Sequence, residues 1–381
     1  METFTLSPSV LEWAASQVGC TLGELASKVS KSQSRAEQIV GGRLTSPQVR
    51  KFADVARVPV GYLFLEAPPP PRELPVADFR TLPESRPLSR DFYDTLDDIT
   101  YKQDWYESYL ESIGAEPLPF IGSYSRKRPT ITDAAAEITA TLGLSIQEAR
   151  TLRSPDAYFS YLAAKCEQIG ILVFKNGVVG SNTHRPLSVD EFRGFALAHP
   201  LAPAIFINGA DAPAAWVFTL AHEVTHLWLG ESGVSDASPI AQNKVERYCN
   251  AVAAETLVPD WLFVSRWQEL KGEPIDALLE RLSRELKVSR LVIARKALEQ
   301  GITDAATYQQ TYRNLIERKK TRGGGGNFYN SLATRNSKTL TNRVVGLAMS
   351  GAITLGQAGR LLNTNPNNIV KFHAKRSAIP F

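Results

Sequence analysis

Apolar side chains recur every three or four residues near the start of the chain, which predicts a run of short helices. The second helix follows Thr21, and Glu24 three residues later completes the sequence of a capping box. A third helix is expected over 33–40, and a fourth begins at Ser46 and Pro47. The apolar positions behind these helices are Val10, Leu11, Ala14, Leu22, Leu25, Ala26, Val29, Val49, Phe52, Ala53 and Ala56.

The rest of the chain mixes helical patterns with a few β-like runs. Four consecutive prolines at 68–71 must be extended and mark a domain boundary. Further helices are predicted over roughly 88–114, 132–142, 155–170, 213–229, 243–257 and parts of 269–300, and short strands over 171–174 and 204–208. Four glycines at 323–326 break the helical pattern before short helices return. These patterns predict a mainly α protein with a small β-sheet, an α+β fold.

The proline and glycine runs and the changes of pattern between them divide the 381 residues into four expected parts. A helical bundle occupies 1–66, a proline-rich linker and helical connector 67–130, a core domain 131–300, and a helical extension 301–381. Hydrophobic residues make up 43% and charged residues 22% of the chain, which excludes wholesale disorder and fibrous repeats.

We expect neither a membrane-spanning segment nor disulfide bonds. The charge-free stretch 194–210 is interrupted by His199, Pro200 and Pro203, which makes it a poor candidate to cross a bilayer. No secretory signal is visible at the N-terminus. Three widely spaced cysteines without a CxxC motif suit a reducing compartment: Cys20, Cys166 and Cys249. We therefore expect a cytoplasmic protein.

The net charge of +4 hides an asymmetry along the chain. Residues 301–381 hold 12 basic and 2 acidic residues, a net charge of +10. The other 300 residues hold 31 basic and 37 acidic residues, a net charge of −6. A basic tail of this kind indicates an acidic partner, and nucleic acid is the first candidate.

The strongest chemical signal is the pentapeptide His222-Glu223-Val224-Thr225-His226. Two histidines four residues apart on a helix lie on one face and can bind the same metal ion. Glu223 stands beside them, within reach of a metal-bound water that it can deprotonate. Two imidazoles and one carboxylate leave a coordination position open, as hydrolytic zinc requires. The pattern thus predicts a zinc hydrolase site.

The surroundings of the motif support a metal site. Its helix is expected to be amphipathic, with the apolar residues Val217, Leu220, Val224 and Leu227 on the side away from the histidines. A third ligand is available in Glu246 on the next predicted helix, and Asn250 lies one turn further along the same face. The alternatives are a structural metal site or buried histidines without metal. Glu223 argues against both, because a structural site needs no adjacent base.

The segments FTLAHEVTHLWLG and VERYCNAVAAETLVP resemble the ImmA/IrrE metallopeptidases. The resemblance implies a zincin-like peptidase core with Zn²⁺ bound by His222, His226 and Glu246. It implies Glu223 as the general base and Asn250 as a residue that supports the ligands. It also implies a regulatory peptidase whose targets are often repressor proteins. The motif assigns no group to stabilise the oxyanion, for which the candidates are Tyr248, His184, His199 and Arg193.

Residues Thr21–Gly42 have the spacing of a helix-turn-helix, and the helices around them resemble the Xre/Cro-repressor type. If this domain binds DNA, the residues facing the major groove are Gln33, Ser34, Arg35 and Gln38. The residues placed to meet phosphates are Lys31, Arg43, Arg50 and Lys51. Residues 1–65 hold 7 basic and 5 acidic residues, so a small helical interaction module is an equal alternative.

A second helix-turn-helix outline occurs in the tail, in Thr354–Phe372. One helix would bury Ala358, Leu361 and Leu362, and Pro366 would begin the next. That second helix would display Asn367, Asn368 and Lys371. A solvated basic face is the alternative interpretation.

Three hypotheses of function follow. The first is a cytoplasmic zinc endopeptidase that cleaves a repressor or antitoxin-like protein. The second is an Xre-type transcriptional regulator or antitoxin whose peptidase fold binds a partner without turnover. The third is self-cleavage at the proline-rich or glycine-rich connectors. The expected partner is a protein substrate. DNA is a second candidate, bound by the N-terminal domain or by the basic tail, and a second copy of the chain in a homodimer is a third. No membrane partner is expected.

Overall fold

The computed structural model describes residues 3–70, 76–78, 88–235, 243–270, 272–318 and 328–377. The chain forms two compact units, one from Met1–Pro75 with Arg86–Leu96 and one from Val76–Ser85 with Asp97–Phe381. Within the described residues, eighteen α-helices occur beside small β-sheets, which confirms the mainly α, α+β prediction. The glycines at 323–326 and Pro71 lie outside the described residues. The division into four parts stays a prediction.

The first unit contains the short helices predicted from the apolar spacing. Its elements are β1 (Thr3–Thr5), α1 (Pro8–Ser16), α2 (Leu22–Val29), α3 (Gln33–Val40), β2 (Arg43–Thr45), α4 (Ser46–Ala56) and a 3₁₀ helix (Val60–Phe64). The capping box of α2 is present: the Thr21 amide donates to Glu24 Oε2 at 2.8 Å, and the Glu24 amide donates to Thr21 Oγ1 at 3.3 Å. The largest fully buried side chains of the unit include Leu11, Leu25, Ile39 and Phe52.

Two strands of the first unit were not predicted. Strands β1 and β2 pair in antiparallel register, with Phe4 opposite Leu44. The Leu6 amide donates to the Gly42 carbonyl at 2.8 Å, and Gly42 has a φ of +82°. A Cβ at Gly42 would lie 2.4 Å from the Leu6 carbonyl oxygen, so this close approach requires glycine. Each strand has three residues, too few for a period-two pattern to stand out.

The second unit contains the sheet and the helices that carry the metal-binding motif. Its helices are α5 (Arg90–Ser112, from Asp97 onwards), α6 (Ile131–Leu142), α7 (Ile146–Thr151), α8 (Pro155–Gln168), α9 (Pro213–Leu229), α10 (Lys244–Leu257), α11 (Asp260–Glu269), α12 (Ile275–Leu286), α13 (Arg290–Glu299), α14 (Ala305–Arg318), α15 (Phe328–Arg335), α16 (Lys338–Met349), α17 (Leu355–Leu361) and α18 (Pro366–Ser377). Its strands are β3 (Ala77–Asp78), β4 (Leu172–Asn176), β5 (Val178–Val179), β6 (Asn182–Pro186), β7 (Gly194–Leu197), β8 (Ala204–Asn208) and β9 (Gly233–Ser235).

The main sheet is a five-stranded mixed sheet in the order β3-β9-β7-β8-β4. Strand β4 runs parallel to β8, and β7 runs antiparallel to both β8 and β9. Helix α9 packs against β7 and β8 on one side and against α8 and α10 on others. The helix that carries the histidines is therefore positioned by the centre of the sheet.

The charge-free stretch 194–210 forms the middle of this sheet. It splits into β7 and β8, whose residues are all buried, joined by the prolines and His199. Strand β8 was predicted, whereas β7 was not. A four-residue apolar run has no periodicity that separates a buried strand from a loop or a helical turn.

The C-terminal helices form part of the second unit. Helices α15 and α16 contact β4 at the end of the sheet. The Glu167 carboxylate accepts hydrogen bonds from the Lys338 and Thr339 amides at 2.8 and 3.2 Å, where α16 begins. Asn363 donates from Nδ2 to both carboxylate oxygens of Asp98 at 2.9 Å. Among the described residues, no helix combines the length and apolar composition needed to cross a membrane.

Replacing Thr21 with alanine removes the oxygen that caps α2, and losses of this kind cost about 0.5–2 kcal/mol. In the full-length protein we expect the amides of α2 to exchange with solvent about 2- to 30-fold faster, measured by hydrogen exchange and mass spectrometry. Ser27→Ala is the control, because Ser27 lies within α2 and its hydroxyl donates only to Gly23. Equal exchange rates in the two variants would contradict the capping role.

Candidate metal centre

Helix α9 carries the two histidines and Glu223 in a fully enclosed position. Pro213 occupies its first turn, and Gly230 ends it with a φ of +72°, a conformation that glycine adopts readily. The helix has the apolar and polar faces that the sequence predicted, but neither face meets solvent: every residue from Thr219 to Leu229 is buried, the histidine face included. The sheet, α8 and α10 all pack against the helix, so both its apolar and its polar faces are removed from water.

Helix α10 supplies the third carboxylate. It begins after Asn243, whose side chain accepts a hydrogen bond from the Val245 amide at 2.8 Å. Glu246 therefore lies in the first turn, and Asn250 lies one turn later; both are 0% exposed. The helix ends at Leu257, two residues before Pro259. Capping and the proline thus set which residues α10 presents to α9.

The three predicted ligands converge on one another. The Nε2 atoms of His222 and His226 are 3.1 Å apart. Glu246 Oε2 lies 3.2 Å from His222 Nε2, and Glu246 Oε1 lies 3.0 Å from His226 Nε2. Among the described residues this is the group of histidine, cysteine and acidic side chains suited to hold a metal ion.

The electrostatics of the cluster favour ligand forms of its side chains. Burial lowers the pKa of His226, so its imidazole is neutral and offers a lone pair. Burial alone would raise the pKa of Glu246, but the two imidazoles outweigh it and lower this pKa to about 2. Cys249 is also buried, and burial raises the pKa of its thiol well above the usual range. Cys249 is therefore a protonated thiol, and it does not belong to the group of converging side chains.

A tetrahedral zinc ion fits this donor set. Zinc binds imidazole nitrogen and carboxylate oxygen at about 2.0–2.2 Å, which places neighbouring ligand atoms about 3.3 Å apart. The observed separations are 3.0–3.2 Å. With both imidazoles in the neutral form that binds metal, the three side chains carry a single negative charge, and a buried charge of this kind requires a compensating cation.

Glu223 lies within the same buried space. Burial raises its pKa to about 8, against a lowering contribution from His222, so without a cation the carboxyl holds a proton near neutral pH. It approaches the sheet closely at Gly194, where a Cβ would lie 3.1 Å from Glu223 Oε1. The predicted base therefore shares the enclosed space with the ligands.

Two residues of the site escaped the sequence analysis, Gly194 on β7 and Ser235 on β9. They are paired across the sheet. The Ser235 hydroxyl lies 3.4 Å from His226 Nε2, and its influence on Glu223 partly offsets the rise in the pKa of that carboxyl that burial causes. A three-residue strand carries no sequence signal, so only the strand pairing brings Ser235 to the histidines.

A partly exposed ion pair lies beside His226. Glu231 Oε2 is 4.0 Å from His226 Nδ1, and Glu231 Oε1 is 3.6 Å from an Arg128 nitrogen. The Arg128 guanidinium lies over the Tyr248 ring at 5.7 Å. At 4.0 Å the Glu231 carboxylate makes an electrostatic contact with the His226 imidazole and no hydrogen bond.

The candidates for oxyanion stabilisation are held by other partners or lie exposed. The Tyr248 hydroxyl donates to the Pro129 carbonyl at 3.2 Å. The Arg193 guanidinium donates to the Asp211 carboxylate at 2.6 Å, and His199 Nε2 lies 3.1 Å from the Glu107 carboxylate. His184 lies exposed on β6. These contacts favour structural roles for Tyr248, Arg193 and His199.

The residues predicted to contact DNA lie in the first unit. Gln33, Ser34, Arg35 and Gln38 are all exposed on α3. Three of the predicted phosphate contacts are likewise exposed: Lys31, Arg43 and Arg50. The fourth, Lys51, donates to the carbonyl at the end of α2 at 2.6 Å, which gives it a structural role as well.

Replacing Gly194 with alanine tests the close approach of β7 to α9. The new Cβ would lie 2.8 Å from Thr219 Cγ2 and 2.9 Å from the Phe206 carbonyl, which belongs to the paired strand and cannot move freely. We expect a loss of roughly 1–3 kcal/mol in the free energy of unfolding and a Tm lower by several degrees. Gly346→Ala is the control, because a Cβ there meets nothing within 4 Å. A Gly194→Ala protein as stable as this control would contradict the packing described here.

Replacing either His226 or Glu246 with alanine should abolish stoichiometric metal binding. The wild-type protein is expected to retain about one zinc ion per chain after dialysis, measured by mass spectrometry of the metal. His184→Ala is the matched control, since it removes a histidine outside the cluster and should keep its metal. Full zinc retention by His226→Ala would remove it from the ligand set.

The comparison with known families coincides with this site. Residues 166–298 match the family model of the IrrE N-terminal-like domain, peptidase M78. The matched range contains the whole of α9 and α10 and therefore all three converging ligands. None of the curated proteins matches the chain. Residues 166–298, the segment that holds the candidate metal centre, are therefore similar to the ImmA/IrrE family.

Proposed function

We propose that the protein is a zinc-dependent regulatory endopeptidase that cleaves a repressor or antitoxin-like protein. The observation that carries the proposal is the buried convergence of His222, His226 and Glu246 at 3.0–3.2 Å, with Glu223 in the same enclosed space. The match of this segment to a peptidase family supports the reaction class. A site for structure alone would not require a second buried carboxyl beside the ligands.

In this proposal each side chain has a separate task. His222, His226 and Glu246 hold the ion, and zinc bound there supplies a Lewis acid that activates water and polarises a carbonyl. Glu223 accepts a proton from the attacking water and donates it to the amide nitrogen of the leaving strand. Burial raises the pKa of Glu223, and the Ser235 hydroxyl acts in the opposite direction, toward the ionised form that accepts this proton.

The burial of the site supports a regulated rather than a constitutive peptidase. The four side chains are 0–1% exposed, so a substrate strand reaches Glu223 only after a movement that opens the site. We propose that binding of the target protein or of a signal causes this movement. Activity on generic peptides is then expected to be low, while activity on the physiological target is not.

The N-terminal unit is proposed to bind DNA or a protein partner. Its α2 and α3 have helix-turn-helix spacing, and the polar residues of α3 face solvent. Arg35 and Gln38 offer the hydrogen-bond donors that suit guanine and adenine edges. Such a domain would bring the peptidase to an operator or to the repressor bound there.

The exposed face of α3 also favours a second candidate function. In that alternative the protein is an Xre-type transcriptional regulator or antitoxin, and the peptidase fold binds a partner without turnover. The two functions differ in whether the proton-transfer group is needed. Regulation by binding alone requires the shape of the metal site but not the Glu223 carboxylate.

Glu223→Gln separates these functions. The substitution keeps the size of the side chain but removes the basic carboxylate, and loss of a general base typically lowers a rate by about 10²–10⁴-fold. We expect the variant to keep zinc and to lose cleavage of the target, measured by incubation with the product of a neighbouring repressor or toxin-system gene.

Glu111→Gln, a change at an exposed position of α5, is the matched control and should cleave at the wild-type rate. Normal cleavage by Glu223→Gln would refute the proposed mechanism. Intact regulation of the target in cells by Glu223→Gln, with no cleavage by the wild-type protein, would favour the binding alternative.

A further inference from the structure

The C-terminal helices repeat the N-terminal helix-turn-helix in the same register. Thr21-Leu22-Gly23-Glu24 near the start has a counterpart in Thr354-Leu355-Gly356-Gln357. Thr354 lies 333 residues after Thr21, and Pro366, the first residue of α18, lies 333 residues after Gln33, the first residue of α3. The cap, the first helix and the start of the second helix are thus equally spaced in both copies.

The local contacts of the two copies also correspond. The Thr354 amide donates to Gln357 Oε1 at 2.9 Å, and the Gln357 amide donates to Thr354 Oγ1 at 3.1 Å, the same capping box that begins α2. Buried residues occupy equivalent positions in the two copies: Leu25 and Ala358, Ala26 and Gly359, Val29 and Leu362, Ile39 and Phe372.

Tight packing between α17 and the turn fixes the second helix. A Cβ at Gly359 would lie 2.9 Å from the Thr364 carbonyl oxygen, so glycine permits the close approach. Asn336 donates from Nδ2 to the Leu362 carbonyl at 3.0 Å, and this hydrogen bond caps the C-terminal end of α17. Helix α16 contacts both α17 and α18 and completes a three-helix unit.

The three helices α16–α18 are anchored to the rest of the second unit through α16 and through the turn between α17 and α18. Asn363 in the turn binds Asp98, and the start of α16 binds Glu167. The charge of Asp98 is paired with buried Lys102, whose Nζ lies 2.6 Å from it. These contacts use the turn and α16 and leave the outer face of α18 exposed.

The exposed face is polar and basic. The exposed residues include Gln357, Arg360, Asn367, Lys371 and Lys375. Residues 321–381 contain 8 basic residues and no acidic residue. The N-terminal copy, in contrast, carries Glu24 and Glu37 on its helices. The charge of the C-terminal face therefore suits a polyanion better than that of the N-terminal face does.

We propose that α16–α18 form a second helix-turn-helix that binds duplex DNA. Helix α18 enters the major groove, with Asn367 and Lys371 directed at base edges and Arg360 and Lys375 at phosphates. Duplex DNA is favoured over duplex RNA because the major groove of A-form RNA is too narrow to admit a helix. The proposal goes beyond the peptidase function and does not depend on it.

Fluorescence anisotropy of a labelled duplex with the full-length protein, at about 50 to about 200 mM salt, tests the proposal. Wild-type affinity should fall steeply with salt. Arg360→Ala/Lys371→Ala should weaken binding at least tenfold and reduce the slope of log K against log salt by about 1–2. Both side chains are exposed, so an unchanged Tm verifies the fold of the variant.

Two further variants make the result specific. Arg153→Ala/Arg281→Ala removes the same number of exposed positive charges from the peptidase domain and should bind like the wild type. Arg35→Ala/Gln38→Ala alters the N-terminal copy and should leave the C-terminal contribution intact. Polyglutamate and duplex RNA serve as competitors and should displace the DNA poorly.

Each of four results would overturn the proposal. The first is no binding of the wild-type protein at low salt. The second is an Arg360→Ala/Lys371→Ala variant that binds like the Arg153→Ala/Arg281→Ala control. The third is loss of all binding in the N-terminal variant alone. The fourth is competition by polyglutamate or duplex RNA as strong as that by unlabelled duplex DNA.

Discussion

The Glu246 carboxylate lies 3.0 and 3.2 Å from the Nε2 atoms of His226 and His222, and all three side chains are at most 1% exposed. Acceptor atoms brought together away from water are destabilising unless a cation or protons compensate them. The surrounding structure must therefore hold the ligands rigidly and exclude solvent. Helices α9 and α10, which pack on each other, meet both requirements, and Asn243 caps the start of α10.

The same constraint explains features of the sheet. Strand β7 must pass close to α9, and only glycine at position 194 leaves room for Thr219 and Glu223. Strand β9 pairs with β7 and brings Ser235 to His226. These contacts come from main-chain pairing of short strands, so the geometry of the metal centre depends on the sheet as much as on the helix that bears the motif.

The net charge differs between the part of the chain that holds the candidate metal centre and the C-terminal part. The ligands and Glu223 lie in a part of the chain that is acidic overall, while the C-terminal 81 residues hold a net charge of +10. Those residues are not a separate tail, because Glu167 and Asp98 bind their helices to the second unit. Anchoring through acidic residues orients the basic face of α18 outward, where it is available to a polyanion.

The sequence by itself determined the helices, their caps and the ligand types, because apolar periodicity, capping residues and HExxH spacing are local properties. Thr21, Glu24 and the pair His222 and His226 could be read in this way. Only the tertiary structure decided that α9 is enclosed on all sides, that β7 and β9 exist, and that Ser235 joins the site. These depend on pairings between residues distant in the chain, which leave no periodic signal in strands of three or four residues.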